Sequence, residues 1–295
     1  MLLYWRAMKR KERTDTVNGI RIVSTVRGDG PPVLLLHGFP ETHRSWDLTV
    51  PALVEAGYRA VTPDLRGYGR SDSPRDGYDL DTLSDDVAQL VEALGEGPVA
   101  LVGHDWGGAI AWHAASRHPE RFNRLVVLDC PHPALMAQAM RHNPRQRRRS
   151  WYMCFFQLPR VPELWLSANG GRNLSRMFRA GSPGNDAVPR EMVLGETHAL
   201  LGPDGLRGPL AYYRTMFRSS FVPMLTDRVA DGYGPIKLPV TVIWGEEDSC
   251  LGTELIDGSE RFAPDLTVHR VSAAGHFVHQ ERPDVVNPLL LRALA

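Results

Sequence analysis

Hydrophobic positions along the chain follow two alternating patterns, short runs rich in β-branched residues and longer runs with helical spacing. The helical spacing is clearest where Leu83, Val87, Leu90, Val91 and Leu94 fall on one helix face. The short runs predict strands at residues 20–25, 33–36, 60–63, 99–102, 125–128, 240–244 and 266–271. Strands that alternate with helices predict an α/β fold with a mostly parallel central sheet and helices on both faces.

The alternation stops after Asp129 and resumes near residue 237. The intervening residues 131–236 are too many for a loop, and they are rich in aromatic side chains with little β-type alternation. We therefore expect a helical cap inserted into a core formed by residues 17–130 and 237–295. A cap above the carboxyl ends of the strands would exclude water from the cleft where such folds bind ligands. Residues 1–16 are expected to form a loose N-terminal extension.

The composition limits the kinds of partner that the chain is expected to bind. The 34 basic and 34 acidic residues balance, which argues against electrostatic binding to nucleic acid or to a membrane surface. No apolar run approaches the ~20 residues of a membrane span, so we expect no membrane insertion. The cysteines Cys130, Cys154 and Cys250 are odd in number and unpaired by spacing, which indicates a reducing cytoplasm. The sequence leaves homo-oligomerisation open.

The segment Gly103-His104-Asp105-Trp106-Gly107-Gly108 joins a predicted strand to a predicted helix at residues 108–117. Small residues around a sharp strand-to-helix turn are typical of the nucleophile elbow of an α/β-hydrolase, where a serine usually stands. Asp105 is instead ionised at neutral pH, because its unperturbed pKa is ~3.9. A carboxylate that attacks a saturated carbon forms a stable alkyl ester, so the elbow predicts epoxide or alkyl halide substrates and covalent catalysis.

A base and an acid must accompany such a nucleophile. His276 follows the last strand in the small-residue turn 273–277, whereas the alternative His279 is expected inside the next helix. Asp248 lies just past the strand at 240–244 and could orient the histidine through its far nitrogen. Asp129, at the end of another strand, is the rival for that role. Chain order favours His276 and Asp248.

The oxyanion hole needs two backbone N–H groups near the attacked carbonyl. Trp106 supplies one by its position after the nucleophile, and Phe39, in the segment His37-Gly38-Phe39-Pro40-Glu41, supplies the other. We interpret His37 as a structural hydrogen-bonding residue. The glycines at 67 and 69 lack dinucleotide-binding spacing, and no HExxH or comparable metal-ligand spacing occurs. We therefore expect no organic cofactor and no metal.

The leaving group decides which further residues are needed. An epoxide leaves an alkoxide that must be protonated, and a tyrosine hydroxyl with a pKa of ~10 is suited to this. A halide needs only polarised N–H groups. The predicted cap contains Tyr152, Tyr212, Tyr213 and Tyr233, any of which could alternatively serve only in packing.

Several motifs together resemble the soluble epoxide hydrolases. They are His-Gly-Phe-Pro-Glu at 37–41, Asp-Leu-Arg-Gly-Tyr-Gly at 64–69, Gly-His-Asp-Trp-Gly-Gly at 103–108, Tyr-Met-Cys-Phe-Phe-Gln-Leu-Pro at 152–159 and Tyr-Tyr-Arg at 212–214. The resemblance implies an α/β-hydrolase core with a cap, and it assigns the ring-opening role to Tyr152 and Tyr213. It implies that an apolar epoxide and water give a vicinal diol through an ester on Asp105. Phe39, Trp106, Tyr152 and Tyr213 would then contact the substrate.

Three other functions compete with this interpretation. A haloalkane dehalogenase could use Trp106 as a halide ligand, but Phe39 stands where the second ligand, an asparagine or tryptophan, is usual. A fluoroacetate dehalogenase would place arginine after the nucleophile, where this chain has Trp106. A ligand-binding protein with slow or no turnover could retain the elbow, although the apparent triad argues against it.

Overall fold

A single eight-stranded sheet forms the centre of the computed structural model, which describes residues 10–182, 187–201, 205–226 and 233–295. The strands are β1 (Lys11–Val17), β2 (Ile20–Arg27), β3 (Pro32–Leu36), β4 (Arg59–Pro63), β5 (Val99–His104), β6 (Phe122–Leu128), β7 (Val240–Gly245) and β8 (Leu266–Val271). Their spatial order is β1-β2-β4-β3-β5-β6-β7-β8, and every neighbouring pair from β4 to β8 is parallel. The predicted mostly parallel α/β sheet is thereby confirmed.

The prediction of a loose extension over residues 1–16 is wrong for residues 11–16. These residues form most of β1, which pairs antiparallel with β2 from Lys11 opposite Val26 to Val17 opposite Ile20. In β1 only Val17 is buried, so this polar edge strand lacks the hydrophobic alternation that marks a half-buried strand. Asn18 and Gly19, with φ angles of 48° and 76°, form the tight turn between β1 and β2. An Asn-Gly pair is typical of a two-residue hairpin turn, so it is the sequence feature that could have predicted β1. Residues 1–9 lie outside the described residues.

The helices of the described chain fall into a core set and a cap set. The core helices are α1 (Val50–Glu55), α2 (Leu80–Leu94), α3 (Trp106–Arg117), α10 (Val278–Glu281) and α11 (Pro283–Leu294). The cap helices are α4 (Pro133–His142), α5 (Pro144–Arg149), α6 (Trp151–Phe155), α7 (Val161–Ala180), α8 (Arg190–Leu200) and α9 (Arg207–Thr226). The predicted helix face at Leu83–Leu94 belongs to α2, which Asp79 caps by accepting from the Thr82 amide and Gly95 ends at a φ of 72°.

Strands buried on both faces give the site a rigid base. In β3, Val33 to Leu36 are all fully buried, with Val33 and Leu35 packed on one face and Leu34 and Leu36 on the other. Because β3, β5, β6, β7 and β8 are parallel, the loops at their carboxyl ends meet along one edge of the sheet. Those loops carry Phe39, Asp105, Asp129, Asp248 and His276 respectively.

The described part of the segment between β6 and β7 is helical and packs on the core next to this edge. The Tyr212 hydroxyl in α9 donates to the Arg66 carbonyl at 2.7 Å, and the Thr42 hydroxyl donates to Glu196 in α8 at 2.7 Å. Gly67 and Gly208 touch directly, since a Cβ added at Gly208 would lie 2.3 Å from the Gly67 oxygen. Within the described residues, no helix has the length and apolarity needed to cross a bilayer.

Candidate active site

Asp105 occupies a strained turn between β5 and α3, with φ 48° and ψ −117°. The turn closes because its neighbours have no side chains: a Cβ at Gly103 would lie 2.3 Å from the Gly107 oxygen, and one at Gly107 would lie 2.2 Å from the Leu36 oxygen. A non-glycine residue in such a conformation costs of order 1–3 kcal/mol. The surrounding β3, β5 and α3 impose this geometry and direct the Asp105 carboxylate out of the sheet edge.

Two different groups face the two oxygens of Asp105. The Phe39 amide donates to Oδ1 at 2.8 Å, while Nε2 of His276 lies 3.5 Å from Oδ2. Gly38 allows this approach, since a Cβ there would lie 2.4 Å from the Asp105 Cβ. One predicted oxyanion donor, Phe39, is therefore already hydrogen-bonded to the carboxylate. The side chain of Trp106 contacts the cap: its indole ring packs edge-on against Tyr213 at a centroid distance of 5.1 Å.

Asp248 contacts the far nitrogen of His276. Its Oδ2 lies 2.9 Å from Nδ1 of His276, and its Oδ1 accepts from the amides of Cys250 and Leu251 at 2.7 and 2.8 Å. Burial by itself would lower the pKa of His276. The charge of Asp248 and the hydrogen bonds to Asp105 and Asp248 outweigh burial and raise that pKa well above 6.5. The imidazole thus lies between two carboxylates that favour its charged form.

The rival residues have other surroundings. Asp129 accepts from the Gly245 amide at 2.7 Å and from the Val278 amide at 3.3 Å, so its carboxylate joins β6 to β7 and α10. Burial and the nearby charge of Asp248 raise the pKa of Asp129 well above its usual value. His279 is fully buried against Trp46, and burial lowers its pKa to about 3. Asp248, and not Asp129, is therefore the carboxylate hydrogen-bonded to His276, and His276, and not His279, is the histidine next to Asp105.

Of the four cap tyrosines, Tyr152 and Tyr213 line both cavities that Asp105 lines, whereas Tyr233 lines one of them. Their rings lie 5.9 Å apart, edge to face, and burial raises the pKa of each hydroxyl well above 10, with the charge of Asp105 adding to the shift. Both hydroxyls are therefore protonated at neutral pH. Tyr212 is committed to the Arg66 carbonyl, and the Tyr233 hydroxyl lies 3.0 Å from Nδ1 of His113.

Two cavities of about 370 Å³ each share Asp105, Tyr152 and Tyr213 as walls. The methionine cavity is otherwise apolar, and its walls include Met136, Met140, Met153 and Met216. The arginine cavity is partly aromatic, and its walls include Arg149, Trp151, Trp165 and Arg176. A ligand whose reacting atom lies at Asp105 could thus place one substituent in each cavity.

A buried polar network beneath the site was not foreseen from the sequence. Glu41 accepts from the Gly38 amide at 2.8 Å and from Gln280 at 2.5 Å, and its Oε2 lies 2.7 Å from Nδ1 of His104. Burial would raise the pKa of Glu41, but the charge and hydrogen bond of His104 outweigh it and hold that pKa far below its usual range. In the sequence, His104 directly precedes Asp105, and Glu41 lies two positions after Phe39. Polar residues so close to the nucleophile and the oxyanion donor are the sequence feature that could have predicted this network.

By residue type, two clusters in the described chain could also hold a metal ion. One is Glu41, His104 and His279, and the other is Asp248, Cys250 and His276, with the ligand atoms of each within 4.8 Å of one another. In the second cluster the His276–Asp248 hydrogen bond already occupies Nδ1 of the histidine. A metal there would have to displace the contact that orients the imidazole toward Asp105.

Comparisons with known proteins show which family the chain belongs to. A family model described as the alpha/beta hydrolase fold matches residues 31–283. The chain is 36% identical over 282 residues to AB hydrolase superfamily protein YfhM of Bacillus subtilis (strain 168), covering 94% of this chain and 95% of that protein. It is 34% identical over 284 residues to Epoxide hydrolase 4 of Mus musculus, covering 92% of this chain and 76% of that protein.

Solved structures agree with the sequence relatives. Bacillus megaterium epoxide hydrolase in complex with an inhibitor superposes with a TM-score of 0.86 at 28% identity, covering 96% of this chain and 99% of that one. Epoxide hydrolase VrEH1 from Vigna radiata superposes with a TM-score of 0.81 at 29% identity, covering 96% and 97% of the two chains. The protein therefore belongs to the α/β-hydrolase fold family and, within it, to the epoxide hydrolases.

Proposed function

We propose that this enzyme hydrolyses an apolar epoxide to a vicinal diol through a covalent ester on Asp105. The single observation that carries the proposal is the arrangement around that carboxylate: Phe39 donates to Oδ1 at 2.8 Å, His276 lies 3.5 Å from Oδ2, and Tyr152 and Tyr213 line both cavities that meet there. A nucleophile, a base and two acids therefore surround one position where a small ring could lie.

In the first half-reaction, Oδ2 of Asp105 attacks an epoxide carbon and the carbon–oxygen bond of the ring breaks. Tyr152 and Tyr213 hydrogen-bond the ring oxygen, and one of them gives it a proton as the alkoxide forms. Their raised pKa values keep both hydroxyls protonated at neutral pH, so each has a proton to give to the developing alkoxide. Oδ1, held by the Phe39 amide, becomes the carbonyl oxygen of the ester.

In the second half-reaction, His276 takes a proton from a water molecule that attacks the ester carbon. Charge develops on Oδ1, where the Phe39 amide donates, and the Trp106 amide is assigned as the second donor. Asp248 holds the imidazole through Nδ1 and stabilises its charged form. The ester bond breaks, and the leaving alkoxide takes the second proton of the attacking water, so that the diol leaves with one former Asp105 oxygen and Asp105 returns to a carboxylate. The proton on His276 is returned through solvent to the tyrosinate.

Haloalkane dehalogenation is the nearest alternative, and the residues around Asp105 favour it less. A halide needs N–H donors, whereas the two cap side chains that share both cavities with Asp105 offer hydroxyl groups suited to an alkoxide. Release of free halide from haloalkanes would support the alternative, and diol formation from epoxides supports the proposal. The absence of both products would support the slow or non-catalytic binding protein.

A single turnover with excess enzyme in heavy-oxygen water tests the ester directly. With styrene oxide as substrate, we expect the first diol to contain no label and the peptide that contains Asp105 to gain one labelled oxygen. Asp105→Asn, checked by intact mass to exclude deamidation, is the matched control and should form no diol. Label in the first diol would mean that water attacks the epoxide directly, and it would overturn the proposal.

A further inference from the structure

The cap concentrates positive charge in one stretch of an otherwise neutral chain. Residues 141–180 contain nine arginines and one acidic residue, Glu163, whereas the whole chain has 34 basic and 34 acidic residues. Glu163 is already paired with Arg214, at 2.6 Å. The overall charge balance, which argued against a membrane-surface partner, therefore conceals a strongly basic region.

Several of these arginines are exposed and have no carboxylate beside them among the residues that the structure describes. Arg148, Arg160, Arg172 and Arg176 are exposed, and in the described ranges of the chain no carboxylate lies within 4.0 Å of any of them. Arg149 lies 3.9 Å from Glu254, a long ion pair. Uncompensated guanidinium groups on one part of a surface attract an anionic partner.

The same region also carries an exposed apolar surface. Of the eight exposed large hydrophobic residues among those the structure describes, five lie here: Trp151 (62% exposed), Leu158 (46%), Val161 (48%), Leu164 (70%) and Trp165 (45%). Val161, Leu164 and Trp165 have the i, i+3, i+4 spacing of one helix face. Phe155 links the two tryptophans, with ring centroids 6.3 Å from Trp151 and 5.6 Å from Trp165.

The charged and apolar residues meet around the mouth of the arginine cavity. Arg149, Trp151, Trp165 and Arg176 all line that cavity, and three of them are exposed on its outer side. The same cavity reaches Asp105 and His276 at its inner end. The exposed basic and apolar residues of 141–180 are here named the cap face, and Trp151, Trp165 and Arg176 of this face border the cavity that leads to the candidate site.

We propose that the cap face docks on an anionic lipid surface. Tryptophan and arginine side chains are amphipathic and suit the membrane interface, where the apolar part contacts acyl chains and the polar part reaches headgroups. The guanidinium groups match anionic headgroups, and exposed Leu164 and Val161 match the acyl region, a feature that a nucleic acid would not require. Docked in this way, the mouth of the arginine cavity opens toward the lipid in which apolar epoxides dissolve; that consequence, unlike the docking, rests on the proposed function.

Co-sedimentation with vesicles tests the docking without any measurement of catalysis. We expect binding of the full chain to phosphatidylcholine vesicles that contain phosphatidylglycerol, weak binding to phosphatidylcholine alone, and release in about 1 M salt, where the Debye length is ~3 Å. The triple variant Arg145→Glu, Arg148→Glu, Arg172→Glu should lose roughly a hundredfold or more in partitioning, since each surface arginine contributes about 1 kcal/mol, or about fivefold. Leu164→Asp should also weaken binding by removing an inserted side chain.

A matched triple variant, Arg75→Glu, Arg270→Glu, Arg292→Glu, changes net charge equally at exposed positions outside the cap and should bind like the wild type. Thermal unfolding midpoints close to that of the wild type would show that the cap variants are folded. Binding that the cap-face triple variant retains, or that both triple variants lose equally, would overturn the proposal. So would tight binding to a DNA duplex with none to anionic vesicles, because that result would assign the arginines to a polyanion.

Discussion

The Nε2 atom of His104 lies 2.7 Å from the carbonyl oxygen of His276, and Nδ1 of His104 lies 2.7 Å from Glu41. The carbonyl oxygen can only accept, so Nε2 of His104 donates to it. His104 therefore holds the backbone of the residue that faces Asp105, while Glu41 holds the Gly38 amide next to Phe39. The buried polar pair of Glu41 and His104 thus positions both groups that face the two Asp105 oxygens.

Replacement of Glu41 by glutamine should destabilise the fold near neutral pH. The change removes the buried carboxylate that accepts from Gly38 and Gln280 and contacts His104, and weaker or unsatisfied hydrogen bonds there cost about 1 to 3 kcal/mol of unfolding free energy. A depressed folded-state pKa gives stability that is complete above the unfolded value of 4.5 and is lost as the pH falls toward the folded value. The difference between wild type and variant should therefore shrink below about pH 4.5.

Urea unfolding at a series of pH values measures that difference. Glu246→Gln is the control, because Glu246 is exposed and its carboxylate accepts from the Ser272 hydroxyl. It should change the unfolding free energy by less than about 0.5 kcal/mol. A Glu41→Gln deficit that stayed constant down to acid pH would contradict an ionised Glu41 in the folded state.

His276→Gln should separate the two half-reactions. Asp105 and both cap tyrosines remain, so alkylation proceeds, but no base activates water and the ester accumulates. Intact mass spectrometry after incubation with an epoxide should show the protein shifted by one substrate mass. The double variant Asp105→Asn, His276→Gln should show no adduct, and an adduct on any other residue would refute Asp105 as the nucleophile.

Neutralising Asp105 should lower the pKa of His276. That pKa is raised because carboxylates lie on both sides of the imidazole, 2.9 Å away at Asp248 and 3.5 Å away at Asp105. Formation of the proposed ester would remove the Asp105 charge and so lower the pKa of His276, which favours the neutral base that hydrolysis needs. NMR titration of His276 in Asp105→Asn should show a lower midpoint than in wild type, and an unchanged or higher midpoint would contradict this account.

The two cap tyrosines should act together in ring opening. We expect Tyr152→Phe and Tyr213→Phe to slow single-turnover ester formation by roughly 10- to 100-fold each, and the double variant by more, because the alkoxide then lacks both donors. Tyr212→Phe is the control, since its hydroxyl donates to the Arg66 carbonyl and should affect stability by about 1 kcal/mol with little effect on rate. A double variant as fast as wild type would leave Tyr152 and Tyr213 with a packing role.

Much of the fold was already determined by the sequence. All seven predicted strands are present. β3 to β7 could be recognised because strands buried in a parallel sheet need continuous apolar runs that few other structures would use. The elbow at Asp105 was equally visible, since only glycine fits at positions 103 and 107. β1 escaped notice because an edge strand can be polar, and its one local signal was the Asn18-Gly19 turn.

The tertiary structure decided which side chains lie close enough to hydrogen-bond, which the order of residues along the chain does not determine. Asp129 and Asp248 both follow strands of the sheet, and the sequence could not exclude either one. In three dimensions Asp129 binds the Gly245 and Val278 amides, and Asp248 reaches His276 at 2.9 Å. The pairing of Glu41 with His104 crosses 63 positions of sequence and required the folded chain. Periodicity reports which face of an element is buried, but a hydrogen bond depends on side chains that only the packed sheet edge brings together.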